Sequence, residues 1–152
     1  MPHKDKVADI LERETNAAIN KWLGRVDAEP EIVSIPLTPQ ERCAHLPEMF
    51  RDVVTRLRNQ LPLGTRALTS DAAHEHGCLR REQGYTAAMM VEESRMLQVS
   101  VFETLKLHGE TMDMSDLMTD IMSIADEVDS QLAQAMTSYI AEANRDEEAI
   151  LA

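Results

Sequence analysis

Aromatic side chains are nearly absent from this 152-residue chain, which has two Phe, two Tyr and one Trp. That scarcity disfavours a haem pocket and leaves an aliphatic core as the expectation. Cysteine is as scarce, with only Cys43 and Cys78, and a pair so far apart does not suggest a disulfide framework. None of the five glycines belongs to a Gly-rich phosphate loop, so no nucleotide site is expected. No apolar run approaches the length of a membrane span, and the opening MPHKDKVADI lacks a hydrophobic signal core. The expected location is therefore the cytoplasm, with no membrane partner and no cofactor. Basic residues are missing where acids collect: residues 110–152 hold eleven acids against Arg145 alone, a net of −10 out of −12. Phosphate binding needs a basic surface, so nucleic acid is disfavoured as a partner.

What is present is helical periodicity. Val7, Ile10, Leu11, Ala18, Trp22 and Val26 recur at spacings suited to one helix over 4–26, with Trp22 as its core anchor. Residues 27–37, DAEPEIVSIPL, read as an extended connector. Thr38-Pro39-Gln40-Glu41 is a helix start with a capping box. The helix it opens carries Leu46, Phe50, Val53, Leu57 and Leu61 on one face, is kinked or broken after Leu46 by Pro47, and ends at Pro62 and Gly64. Residues 65–83 begin irregularly and become a third helix after Ser70 or Asp71. A fourth runs from about Ala87 to Leu107, and Gly109 stops it. Ser115 is the expected cap of a long last helix with a seam of Leu117, Ile121, Ile124 and Val128, passing to Leu132, Ala135, Tyr139 and Ala143. The expected fold is all-α: a single-domain antiparallel helical bundle of about five main helices. Residues 1–112 form the bundle and 113–152 a long helix packing on it and leading to a downstream output domain. Seven of the ten methionines lie between Met89 and Met122 and suit an adaptable core or interface.

Polar residues interrupt the apolar faces in one stretch, DAAHEHGCLRREQGYTAAMMVEESRML, residues 71–97. His76, Arg80 and Gln83 lie four and three residues apart and share a helix face. Gly84 is a natural left-handed helix stop, with Tyr85 and Thr86 at N′ and N-cap of the next helix and Tyr85 set to staple onto Met90. Glu93 falls among Met89, Met90, Met96 and Leu97, where a carboxylate is costly unless paired. Arg80 or His76 across the corner is the evident partner, making a polar lock between two helices. The same His, Arg, Gln, Tyr and Glu set also suits a small anion. Gly77 is placed to admit a close helix at that level.

The string HGCLRREQGY, followed by Glu93, Arg95 and Leu97, resembles the N-terminal sensor domain family of RsbR-type stressosome proteins and related bacterial sensor histidine kinases. His76, Gly77, Arg80, Gln83, Gly84, Tyr85, Glu93, Arg95 and Leu97 carry the likeness. Looser echoes in INKWLGRV and LTPQERCAHLPEMF extend it over roughly residues 8–108. The resemblance implies a helical regulatory domain without catalysis, dimeric with its own copy, working on a downstream kinase or antagonist and answering to an unidentified small-molecule signal. It makes His76, Arg80, Gln83, Tyr85, Glu93 and Arg95 the candidate site.

Other chemistries are weaker. His74 and Cys78 sit at metal-ligand spacing, but His76 is about 200° around the helix from His74, so the three cannot converge and no metal is expected. A histidine phosphotransfer or dimerisation module would use His74 or His76, yet the basic and small residues expected after such a histidine are missing. Glu92 and Glu93 point about 100° apart, poorly placed for paired acid–base work. A small-molecule sensor with a methionine-lined pocket is the remaining alternative.

Overall fold

The computed structural model describes residues 4–65 and 68–151, and its described residues form an all-α bundle of eight helical segments. The segments are α1 (Val7–Arg13), α2 (Thr15–Asp27), α3 (Pro30–Val33), α4 (Pro39–Arg42), α5 (Leu46–Asn59), α6 (Asp71–Glu82), α7 (Ala87–Lys106) and α8 (Leu117–Leu151). No strand occurs among the described residues, although Asp5 and Met112 form one isolated bridge. Part of the irregular start expected for 65–70 falls on residues 66 and 67, outside the described set. No described helix is long and apolar enough to cross a membrane.

The helix expected over 4–26 is two segments meeting at Glu14. There the Thr15 hydroxyl donates to the Leu11 carbonyl at 2.8 Å, a back-bond that bends helices. The connector is not fully extended. Pro30 presets the backbone for a helical turn, and Ser34 donates its hydroxyl to the Glu31 carbonyl at 2.5 Å, giving α3. Ile32 on that turn is buried in the core.

Thr38 and Glu41 form the expected capping box on α4. The break associated with Pro47, however, precedes Leu46. The chain turns through 43–45, and Pro47 sits in the first turn of α5, where its missing N–H costs nothing. Helix α5 ends earlier than expected, with Gln60 taking the left-handed conformation at φ 48°. The start of α8 also differs. The Asp113 carboxylate accepts from the Ser115 amide at 3.0 Å, a turn that delays the helix to Leu117.

The core is aliphatic apart from Trp22, Phe50 and two tyrosines, and runs through every long helix as one cluster. On α8 the buried apolar residues are Ile124, Val128, Ala135 and Tyr139, while Leu117, Ile121, Leu132 and Ala143 are only partly covered. Helix α8 packs most intimately on α6, because Gly77 presents bare backbone there. A Cβ on Gly77 would lie 1.9 Å from the Ala135 carbonyl oxygen and 2.2 Å from Ser138 Oγ.

Candidate functional site

The corner between α6 and α7 is built by local rules. Ser70 caps α6, accepting from the Ala73 amide and donating to the Asp52 carboxylate at 2.5 Å. At its far end Gly84 adopts φ 93°, the Tyr85 amide donates to the Arg80 carbonyl, and the Gly84 amide donates to the Arg81 carbonyl. This paired closure satisfies the last carbonyls and reverses the chain. Thr86 then caps α7, with the Met89 sulfur accepting from the Thr86 amide where an acid usually stands.

His76, Arg80 and Glu93 meet inside this corner. Arg80 is fully buried and donates Nε to Glu93 Oε1 at 3.0 Å, Nη1 to Gln83 Oε1 at 2.8 Å and Nη2 to the Arg42 carbonyl at 2.5 Å. Its guanidinium also lies 4.6 Å over the Tyr85 ring. His76 Nε2 is 3.7 Å from Glu93 Oε1, and its ring meets His45 edge to face. The Trp22 indole donates to the Glu93 carbonyl at 3.0 Å, and the Tyr139 hydroxyl donates to the Tyr85 carbonyl at 2.6 Å. The corner is thereby joined to α2 and to α8.

Five of the six candidate residues are brought together: His76, Arg80, Gln83, Tyr85 and Glu93. Arg95 is not among them. It points to solvent on the far side of α7 and pairs with Glu92 at 2.8 Å, since two residues along a helix rotate a side chain by about 200° away from Glu93.

Arg42 was not legible as a member, yet it is buried and donates to the Tyr85 hydroxyl at 2.7 Å and to the Ile35 carbonyl at 2.8 Å. The joint therefore holds two buried guanidiniums, Arg80 on the Glu93 carboxylate and Arg42 on the Tyr85 hydroxyl. Burial pushes the Glu93 carboxyl up, but His76, Arg80 and Tyr85 outweigh it and hold it below the ordinary value. Burial holds His76 below the ordinary imidazole range, so the ring is neutral at neutral pH. Burial, with Glu93 adding to it, pushes Tyr85 far above the usual phenol value.

A second polar layer lies between α5 and α8. Arg56 is buried and donates to Asp126 at 2.5 Å, to Glu127 at 3.2 Å and to the Pro62 carbonyl at 2.9 Å. Gln131 donates to the Met49 carbonyl, and Gln134 accepts from the Ser70 amide. The signal that could have revealed it is the spacing of Glu127, Gln131, Gln134 and Ser138, four, three and four residues apart.

His74 and Cys78 line an open groove with His45, Glu75 and Glu82, while His76 points into the core. Among the described residues no three His, Cys, Asp or Glu side chains are arranged to hold a metal ion. The space beside His76 and Glu93 measures about 30 Å³ and is walled by Trp22, Met49, Met90 and Leu97. That is room for a water-sized group.

No family model matches the chain, and no curated protein and no solved structure matches it either.

Proposed function

We propose that this chain is a non-catalytic sensory or regulatory domain of a bacterial signal-transduction protein, of the stressosome or sensor-kinase type, working in the cytoplasm as a homodimer. The observation that carries the reading is the buried ionic joint at the α6–α7 corner, bonded through Tyr139 to α8. Buried ion pairs add little net stability over apolar packing, but they can fix one arrangement of helices and oppose others. A joint with discrete bonded partners suits a two-state element, which is what a regulatory domain needs. A change in packing around His76, Arg80 and Glu93 would pass along α8 to a downstream kinase or antagonist. The motif residues that resemble the RsbR-type family coincide with this joint, Arg95 excepted, and that agreement supports the same reading.

Hydrogen exchange tests it. Arg80→Ala is expected to raise amide exchange at the corner and also in α8 between residues 124 and 139. Faster exchange confined to residues 80–93 would remove the route to α8 and with it the proposed output.

A histidine phosphotransfer module is the second reading, favoured by the partial exposure of His74 in its open groove. The acids Glu75 and Glu82 in that groove repel a phosphoryl donor, so this reading ranks below the first. Acid-labile phosphate on His74, after incubation with a phosphorylated response regulator, would reverse the order. A closed methionine-lined sensor pocket is less favoured still, since the core space at the joint is water-sized.

A further inference from the structure

Two buried side-chain oxygens find no hydrogen-bond partner among the described residues, Glu93 Oε2 and Gln131 Oε1. Their residues are 4% and 1% exposed, and both line the cavity of about 30 Å³ beside His76. Glu93 uses its other oxygen to accept from Arg80. The Gln131 amide is held by its nitrogen, which donates to the Met49 carbonyl at 2.9 Å. Turning that amide over would set oxygen against oxygen, so its free end is the acceptor. A buried acceptor left without a donor carries the full cost of its desolvation, and two in one cavity call for a donor.

Size and charge narrow what that donor is. The cavity has room for about two waters or one solute of the same bulk. An anion would meet two free oxygens. A cation would shed its hydration among Trp22, Met49, Met90 and Leu97 for a carboxylate that Arg80 already neutralises. An apolar guest would leave both oxygens unbonded. The lining residues are buried except Ser94 on α7 and Leu132 on α8, which are half-buried, so the way in runs between those two helices.

We propose that this cavity is a binding site for a small uncharged hydrogen-bond donor, either water or a solute the size of methanol or formamide, held by Glu93 Oε2 and Gln131 Oε1. His76 and Ser94 add polar groups to the same lining, in keeping with the several partners that a buried water takes. Glu93 belongs to the α6–α7 joint and Gln131 to the polar layer between α5 and α8, so the occupant ties the two layers together. The site rests on these two oxygens and stands whether or not the domain is regulatory.

The test is made on the full chain with labelled methionine methyls. Met49 and Met90 line the cavity, and Met114, 58% exposed, reports passing solvent. Water is expected to give Met49 and Met90 the cross-relaxation sign of a long-lived complex, and Met114 that of free solvent. Methanol, formamide, ammonium, formate and xenon are then titrated in turn. Saturable shifts of Met49 and Met90 by methanol or formamide, with loss of the water signal, would show that the site takes solutes. A water signal that survives both would make water the ligand, and either result supports the proposal. Gln131→Met replaces the free oxygen and is expected to abolish the water signal while Met112 and Met114 stay unshifted. Should that variant fail to fold, Leu132→Phe at the mouth is expected to slow water exchange at least tenfold and keep the signal. No long-lived water and no shift with either uncharged solute would overturn the proposal. So would ammonium or formate displacing the water where the uncharged solutes do not, or xenon shifting Met49 and Met90 with no water signal present. An unaltered water signal in Gln131→Met, or unaltered exchange in Leu132→Phe, would overturn it as well.

Discussion

Removing Arg80 is the sharpest perturbation available to this fold. The guanidinium is fully buried and Glu93 is 4% exposed, so Arg80→Ala strands a carboxylate with only a neutral imidazole and a phenol beside it. Breaking a buried pair on one side costs about 3–5 kcal/mol. The Gln83 side chain and Arg42 carbonyl also lose their donors, at about 1 kcal/mol each where water cannot enter. The upper part of the range is therefore expected near neutral pH. Glu93→Gln keeps the shape and leaves Arg80 as the uncompensated charge, at a cost of about 2–4 kcal/mol. The double variant removes both charges and should fall short of the sum by about 2 kcal/mol, the coupling expected of directly bonded partners.

Urea unfolding followed by intrinsic fluorescence measures this well. Trp22 is the only tryptophan and its indole is bonded to the Glu93 backbone, so the probe sits on the joint. Arg80→Lys adds a check on geometry, since an ammonium keeps the charge but not the three-way fork. It should lie between wild type and Arg80→Ala. Additive effects of the Arg80 and Glu93 substitutions, within about 0.5 kcal/mol, would mean that the two groups are not energetically joined. The joint would then lose its claim to specify the angle between α6 and α7.

Other consequences are as direct. Gly77→Ala gains about 0.8–1 kcal/mol in helix propensity but drives a methyl into the Ala135 backbone, so a net loss in melting temperature and a shift of α8 amide signals are expected. Lowering pH should destabilise the fold from about 6.5, because the unfolded His76 takes a proton that the buried ring refuses. Loss of the Glu93 charge adds to this below 4.5, and His76→Gln should flatten only the upper part of the slope in urea melts. Glu127 works the other way: burial pushes it up to about 7 against 4.5 unfolded, so its contribution falls as pH rises through that window. Glu127→Gln should therefore melt higher than wild type above pH 7, and the advantage should vanish near the lower value.

The legible parts of this fold were those governed by local chemistry. The capping box at Thr38, the Ser70 cap, the left-handed stop at Gly84 and the Thr86 cap depend on residues within four positions of each other. The partnership of Arg80 with Glu93 was also legible, because a charge on each apolar face across a short corner has few other partners. Arg42 and Arg56 were not. Each is separated in sequence from its bonded partners, by 43 residues to Tyr85 and 71 to Glu127, and an isolated arginine in a helix normally reads as a solvated one. Pro47 misled for a related reason. A proline inside an apolar periodic run predicts a kink after the preceding residue, whereas the chain moves the break upstream so that the proline falls in a first turn. The motif also drew Arg95 into the cluster by its position in a string, although helical geometry turns it outward.

The two polar layers bear on one element. Helix α8 meets the first through Tyr139, which bonds the backbone at the Gly84 corner, and the second through Asp126, Glu127 and Gln131, which bond Arg56 and Met49 on α5. Between them Ser138 donates to the His74 carbonyl at 2.6 Å, and Gly77 admits the α8 backbone with no room for a methyl. A helix held at several polar points cannot slide by less than a residue without breaking most of these bonds at once. Its alternatives are therefore discrete: it keeps its register, or it shifts far enough to find new partners. Apolar packing alone would allow graded repacking, especially around methionine. Polar anchoring along α8, with exposed methionines where it begins, divides the helix into a part that fixes position and a part left free to repack.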